Sequence, residues 1–161
     1  METLYFDLLQ FTYHLALAIL VGGTFVLGAA VAPALFRSPR TRSEAGTAFG
    51  SVLARFDGFA IVAVFALVLT SVLKAASFEV TGAPEVRLLL RWTVLAVLVF
   101  ATLYSSAWAN PVARTIRSQT PAFDELPATA PARAEFARLH NRSRAAMSVA
   151  VVAGLLALFL S

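Results

Sequence analysis

The chain has 161 residues, 59% of them hydrophobic and 14% charged, against globular averages of roughly 45–50% and 25%. It contains no cysteine, which excludes disulfides, thiolate metal sites and thiol redox chemistry. The net charge of +4 comes from basic residues gathered at the ends of apolar runs, a pattern set by membrane topology and not by a nucleic-acid partner.

Four apolar runs, Leu8–Phe36, Phe59–Ala76, Leu88–Ala109 and Ala145–Leu160, occupy most of the chain. A bilayer core about 30 Å thick takes roughly 20 apolar residues in a helix. Two runs reach that length directly, and the other two reach it with their less polar lead-ins. Backbone polar groups in lipid must pair within their own segment, so the runs are expected to be helices. The fold class is all-α, an integral membrane four-helix bundle. The acidic Met1-Glu2-Thr3 start and the length of the first run argue against a cleaved signal, so that run is expected to remain as a helix.

Helix 1 is expected over residues 4–36, with Pro33 kinking its last turn and Ser38-Pro39 breaking the chain. Thr41-Arg42-Ser43-Glu44 fits a capping box opening a helix over 43–76, whose first turns carry an apolar stripe of Ala45, Phe49, Val52, Leu53 and Phe56. Gly82-Ala83-Pro84 marks a turn. Helix 3 follows over 85–110, and Asn110-Pro111 ends or kinks it. Residues 118–131, with three prolines, read as a floppy loop, and residues 132–160 form helix 4 with an amphipathic lead-in. The halves share an outline, each a proline-ended span, a basic connection and a second span, as parallel repeats would.

Orientation follows from lysine and arginine. Arg37, Arg40, Arg42 and Arg55 lie in the first connection, and Arg114, Arg117, Arg133, Arg138, Arg142 and Arg144 in the third. Only Lys74, Arg87 and Arg91 lie in or beside the second. This bias puts the first and third connections in the cytoplasm and both termini outside, in an inner or plasma membrane.

Ionisable residues within a span usually face the bundle interior or a wet cavity. His14 sits in the first run, and a face of His14, Ala18, Gly22, Phe25 and Ala29 is expected to meet the other helices, Gly22 allowing close approach. The histidine either packs against a polar neighbour or contacts a proton, metal or substrate. At the cytoplasmic end Asp57, Asn110, His140 and Arg142 are candidate ligand residues, and Asp57 is expected to pair with Arg142 or Arg144 of helix 4. Trp92, Trp108, Tyr5 and Tyr104 read as interface anchors. His14 lies about 28 Å along the helix axis from Pro33, whereas His140 belongs to the inner end, so one haem between them is not expected. No metal-ligand spacing and no nucleophile with a matched base stands out, so no catalytic residue, metal or cofactor is assigned.

His14 followed by Gly22-Gly23, the Ala32-Pro33-x-x-Phe36 helix end, Glu44-Ala45-Gly46 with Gly50, Phe56-Asp57, and Leu139-His140-x-x-Ser143 resemble the transmembrane protein 205-like family. The first helix is also similar in outline to copper-resistance D membrane domains. The nearer resemblance implies a four-helix membrane domain of unknown function, with eukaryotic relatives associated with drug and metal-compound resistance. The function expected is that of a small non-enzymatic membrane protein in the lipid bilayer, able to self-associate as a homo-oligomer, that binds or helps move a small solute, ion or hydrophobic compound. The alternative is a haem- or metal-binding redox protein using His14 across such an oligomer.

Overall fold

The computed structural model describes residues 2–38, 41–80 and 82–161. Met1, Pro39, Arg40 and Thr81 lie outside the described residues, and with them part of the expected break after Ser38. Helix α1 runs Glu2–Val26, passes through a π-helical turn at Leu27–Val31 and finishes as Ala32–Arg37. Helix α2 comprises Arg42–Lys74 and a π turn at Ala75–Glu79. Helix α3 comprises Val86–Leu103, a π turn at Tyr104–Ala109 and Asn110–Gln119. A 3₁₀ turn at Phe123–Glu125 leads to α4, Pro131–Phe159. Among the described residues these four helices are long and apolar enough to cross a membrane, and no strand occurs.

Local chemistry explains the helix boundaries. Thr41 caps α2: its hydroxyl accepts from the Glu44 N–H at 3.2 Å, and the Glu44 carboxylate accepts from the Thr41 N–H at 3.0 Å. Pro33 and Pro111 each lack an N–H, and their rings crowd the carbonyl four residues earlier. In both places a π turn widens the helix just before the proline. The Ala32 N–H bonds Leu27 O and the Asn110 N–H bonds Ser105 O, each five residues back. Of the two expectations at Asn110-Pro111, an end or a kink, the helix does not end: α3 continues past the expected bound of residue 110 to Gln119. The expected floppy loop is also corrected. Phe123 is buried against the Phe136 ring, and Asp124 bonds Ser43 and Arg117, which turns residues 120–130 into a fastened strap.

Helix α1 packs most closely on α2 and α3 on α4, while α1–α4 and α2–α3 contacts close the bundle. The core holds Tyr13, Leu17, Leu20, Leu67, Leu95 and Leu98 beside Ala60, Ala63, Ala153 and Ala157. Outside it runs a belt of exposed apolar side chains, with Phe59, Val62, Phe65 and Phe100 each more than two-thirds exposed. Water does not tolerate so large a continuous patch, whereas lipid does. The polar residues are gathered instead at the two ends. One, the terminal end, carries the start of α1, the end of α4 and the α2–α3 connection. The other, the basic end, carries the α1–α2 connection and the strap.

The inward stripe of α1 is Leu9, Tyr13, Ala16, Leu17 and Leu20, not the face expected from His14 and Gly22. Gly22 faces outward with open space around it, and Ala18, Phe25 and Ala29 are exposed with it. The close approach falls one residue later. A Cβ on Gly23 would stand 2.4 Å from the Phe56 ring, and one on Gly154 would stand 2.3 Å from Val21. Large side chains at Leu17 and Leu20 set the buried face, and consecutive residues turn about 100° apart, so Gly22 cannot share it.

Candidate functional site

At the basic end a hydrogen-bonded network crosses three helices. Asp57 of α2 is buried; its Oδ1 accepts from Asn110 Nδ2 at 2.9 Å and its Oδ2 from Arg114 Nη1 at 2.6 Å. The Asn110 Oδ1 in turn accepts from Ser143 Oγ of α4 at 2.6 Å, and Ser105 Oγ donates to the Ser143 carbonyl at 3.0 Å. Both faces of the Asn110 amide are thus used, which fixes its orientation. In a regular α-helix Ser105 and Asn110 would lie about 140° apart. The i→i+5 bond of the π turn stacks them, so both reach Ser143, and the turn that Pro111 requires also assembles the network.

The expected pairing of Asp57 with Arg142 or Arg144 is not what forms. Ser143 occupies the inward position of α4, so its neighbours on either side turn outward, and both arginines are exposed. Arg114, on the continuation of α3 beyond Asn110, takes their place. From sequence alone Arg114 falls in the connection, because the helix is expected to end before it.

Beside this network lies a cavity of about 520 Å³ between the end of α1, α2, α3, α4 and the strap. Ser43, Gly46 and Gly50 hollow the face of α2, while Phe36, Phe49, Leu53 and Phe136 supply apolar wall. Arg114, Arg117 and Arg133 line it together with Asn110, Asn141 and His140. His140 stacks parallel on Phe136, with ring centroids 5.9 Å apart. A Cβ at Gly46 would lie 2.7 Å from Arg117 Nη1, so glycine at this position lets that guanidinium lie against α2. Arg117 Nη2 donates to Asp124 Oδ2 at 2.9 Å and to the Ser43 carbonyl at 3.3 Å. Arg133 Nη1 donates to the carbonyls of Leu126 at 2.8 Å and Asp124 at 3.3 Å. The Ser43 hydroxyl, donating at 2.6 Å, holds the Asp124 carboxyl below the usual carboxylate range, and the charges of Arg117 and Arg133 add to this.

The terminal end holds a second cluster. Lys74 and Arg91 are both buried and both pair with Glu79. Lys74 also donates to Gln10, and its ammonium lies 4.9 Å from the Tyr13 ring centroid. His14 Nε2 lies 3.4 Å from Gln10 Nε2 and 3.1 Å from Ser161 Oγ, at the margin of this cluster and not in the core. Two cations share one carboxylate here, and aromatic faces offset the remaining charge. The Tyr13 hydroxyl and Arg91 Nε are buried without a hydrogen-bond partner among the described residues. Charge counting alone treats Lys74 and Arg91 as loop charges. The available signal is Lys74 lying inside an apolar run, where an ionisable residue demands a partner. The π turn that brings Glu79 back over the bundle has no such mark.

Among the expected site residues, Asp57, Asn110 and His140 are thus brought together at one end, His14 is at the other, and Gly22 and Arg142 belong to neither cluster. Among the described residues no three His, Asp or Glu side chains group as metal ligands would. The apolar core separates the two clusters.

This arrangement, an apolar belt around four long helices with charged networks at both ends, defines an all-α membrane bundle. The chain belongs to the family described as a domain of unknown function (DUF4149), whose model matches residues 15–122. No curated protein and no solved structure matches it. The matched segment contains both Asp57 and its partners Asn110 and Arg114, and the strap through Ala122.

Proposed function

We infer that the protein is a non-enzymatic membrane protein that binds a small solute, or helps it move, through the vestibule at its basic end. The observation that carries this reading is the 520 Å³ cavity, of a size that suits a small ligand and lined by fixed polar groups facing an apolar wall. The resemblance to the transmembrane protein 205-like family fits the same role. The basic end faces the cytoplasm of a cell with the chain in its inner or plasma membrane. The burial of Lys74 and Arg91 strengthens that orientation, because it leaves Arg87 as the one basic residue of the second connection's flank that is exposed. Among the described residues Leu17, Leu67 and Leu98 fill the core with apolar side chains, so movement across the membrane would call for a second copy or a rearranged core.

The redox alternative, which uses His14 across a homo-oligomer, has less support, because His14 Nε2 already lies 3.4 Å from Gln10 Nε2 and 3.1 Å from Ser161 Oγ. Native mass spectrometry of the purified full chain tests the favoured reading. Gly50 lines the cavity with open space at its Cβ position, so Gly50→Trp fills the vestibule with no backbone clash. The wild type should carry a bound small molecule that Gly50→Trp loses while keeping its helical circular dichroism. Identical spectra from the two proteins would remove the reading.

A further inference from the structure

The vestibule contains more hydrogen-bond donors than its own acceptors use. A guanidinium carries five N–H donors in a rigid fork. Arg114 engages Asp57 through Nη1, Arg117 engages Asp124 and Ser43 through Nη2, and Arg133 engages two backbone carbonyls through Nη1. Asp57 balances Arg114 and Asp124 balances Arg117, whereas Arg133 bonds only neutral oxygens in this network. The lining is therefore cationic, with Asp124 its one carboxylate among the described residues. The forks are also held in place: the guanidinium carbons of Arg117 and Arg133 each lie 5.7 Å from the Phe123 ring centroid. Donors fixed before a ligand arrives lose less freedom on binding it. Facing them, Phe36, Phe49, Leu53 and Phe136 offer an apolar wall with no charge to satisfy.

We propose that this vestibule binds an amphipathic oxyanion, a phosphate-type head held by Arg117 and Arg133 with an apolar tail laid along Phe49, Leu53 and Phe136. The proposal rests on the vestibule being a ligand site and names the chemistry of its occupant. A planar guanidinium fork matches the oxygens of a phosphate in pairs, and Arg117 and Arg133 both line the one cavity. A soluble phosphate monoester with an apolar group and the head of an anionic lipid share this chemistry.

The test uses the purified full chain in a neutral detergent and reads the melting temperature against probe concentration. The probes are hexyl phosphate, inorganic phosphate, hexyltrimethylammonium and dihexanoyl phosphatidic acid. Hexyl phosphate should give a saturable rise that inorganic phosphate and hexyltrimethylammonium do not match. Asn141→Asp, which puts a carboxylate on the cavity lining at an exposed position, should raise the half-saturating concentration about fivefold or more. Arg138→Gln removes one charge from the same end outside the cavity and should leave the titration unchanged. Tighter binding of dihexanoyl phosphatidic acid than of hexyl phosphate assigns the ligand to the membrane, and the reverse order to a soluble monoester. An equal, Gly50→Trp-sensitive shift with hexyltrimethylammonium overturns the anion while keeping the vestibule as a site. No saturable shift with any probe, and none altered by Gly50→Trp, overturns both.

Discussion

Asp57 is a carboxylate buried between two partners from one helix, Asn110 and Arg114. Removing one partner of a buried pair costs about 3–5 kcal/mol, and the lower figure applies because a third of the Arg114 side chain is exposed. We expect Asp57→Ala to lower stability by about 3 kcal/mol in detergent melts, and Arg142→Ala to leave it unchanged within error. Tyr13 behaves in the opposite sense. Its hydroxyl is buried without a partner among the described residues, and such a group costs roughly 1–3 kcal/mol, so Tyr13→Phe should be neutral or stabilising while the ring keeps its contact with Lys74. A melting temperature lowered by several degrees would mean that the hydroxyl is hydrogen-bonded after all. The two adjacent glycines of α1 separate cleanly. Gly22→Leu meets open space and should be tolerated, whereas Gly23→Leu drives into Phe56 and should cost about 1–3 kcal/mol. Equal effects at the two positions would place the helix in a different rotation.

At the scale of elements, the π turns and the strap do what the helices alone do not. The turn at Tyr104–Ala109 brings Ser105 and Asn110 onto one face, and the strap closes the vestibule through Asp124. The depressed Asp124 carboxyl gives this closure a pH dependence. A carboxyl held below its unfolded value of about 3.9 stabilises the fold fully above that value. The contribution is lost as pH falls through the lower folded value, because the protonated group no longer pairs with Arg117. The difference in melting temperature between wild type and Asp124→Asn should therefore be constant from pH 7 to pH 5 and shrink below about pH 4. A difference that grows on acidification would reverse the sign and overturn the assignment. Ala122, which precedes the strap's 3₁₀ turn, sits at φ 48°, a left-handed conformation costing an alanine about 1 kcal/mol, so Ala122→Gly should not destabilise the strap.

For the molecule as a whole, the proposed orientation rests on the distribution of charge. A reporter active only in the cytoplasm should be silent when fused after Ser161 and active when inserted in the strap near Thr129; the reverse result would invert the bundle. The four spans, the capping box at Thr41 and the inner grouping of Asp57 with Asn110 were legible in the sequence, because apolar length, local capping chemistry and the rarity of buried carboxylates are properties of short segments. Helix rotation was not. The choice between Gly22 and Gly23, or between Arg114 and Arg142 as the partner of Asp57, turns on about 100° per residue. Only the neighbouring helices decide it, by presenting Phe56 to one glycine and Ser143 to the bundle interior. The terminal-end cluster was hidden for a related reason: Lys74 and Arg91 belong to different helices, and only the returning π turn at Ala75–Glu79 sets Glu79 between them. Composition and periodicity determine that this chain is a four-span bundle. Tertiary packing decides where its charges meet and where it leaves a cavity, because those depend on contacts between segments that no local pattern encodes.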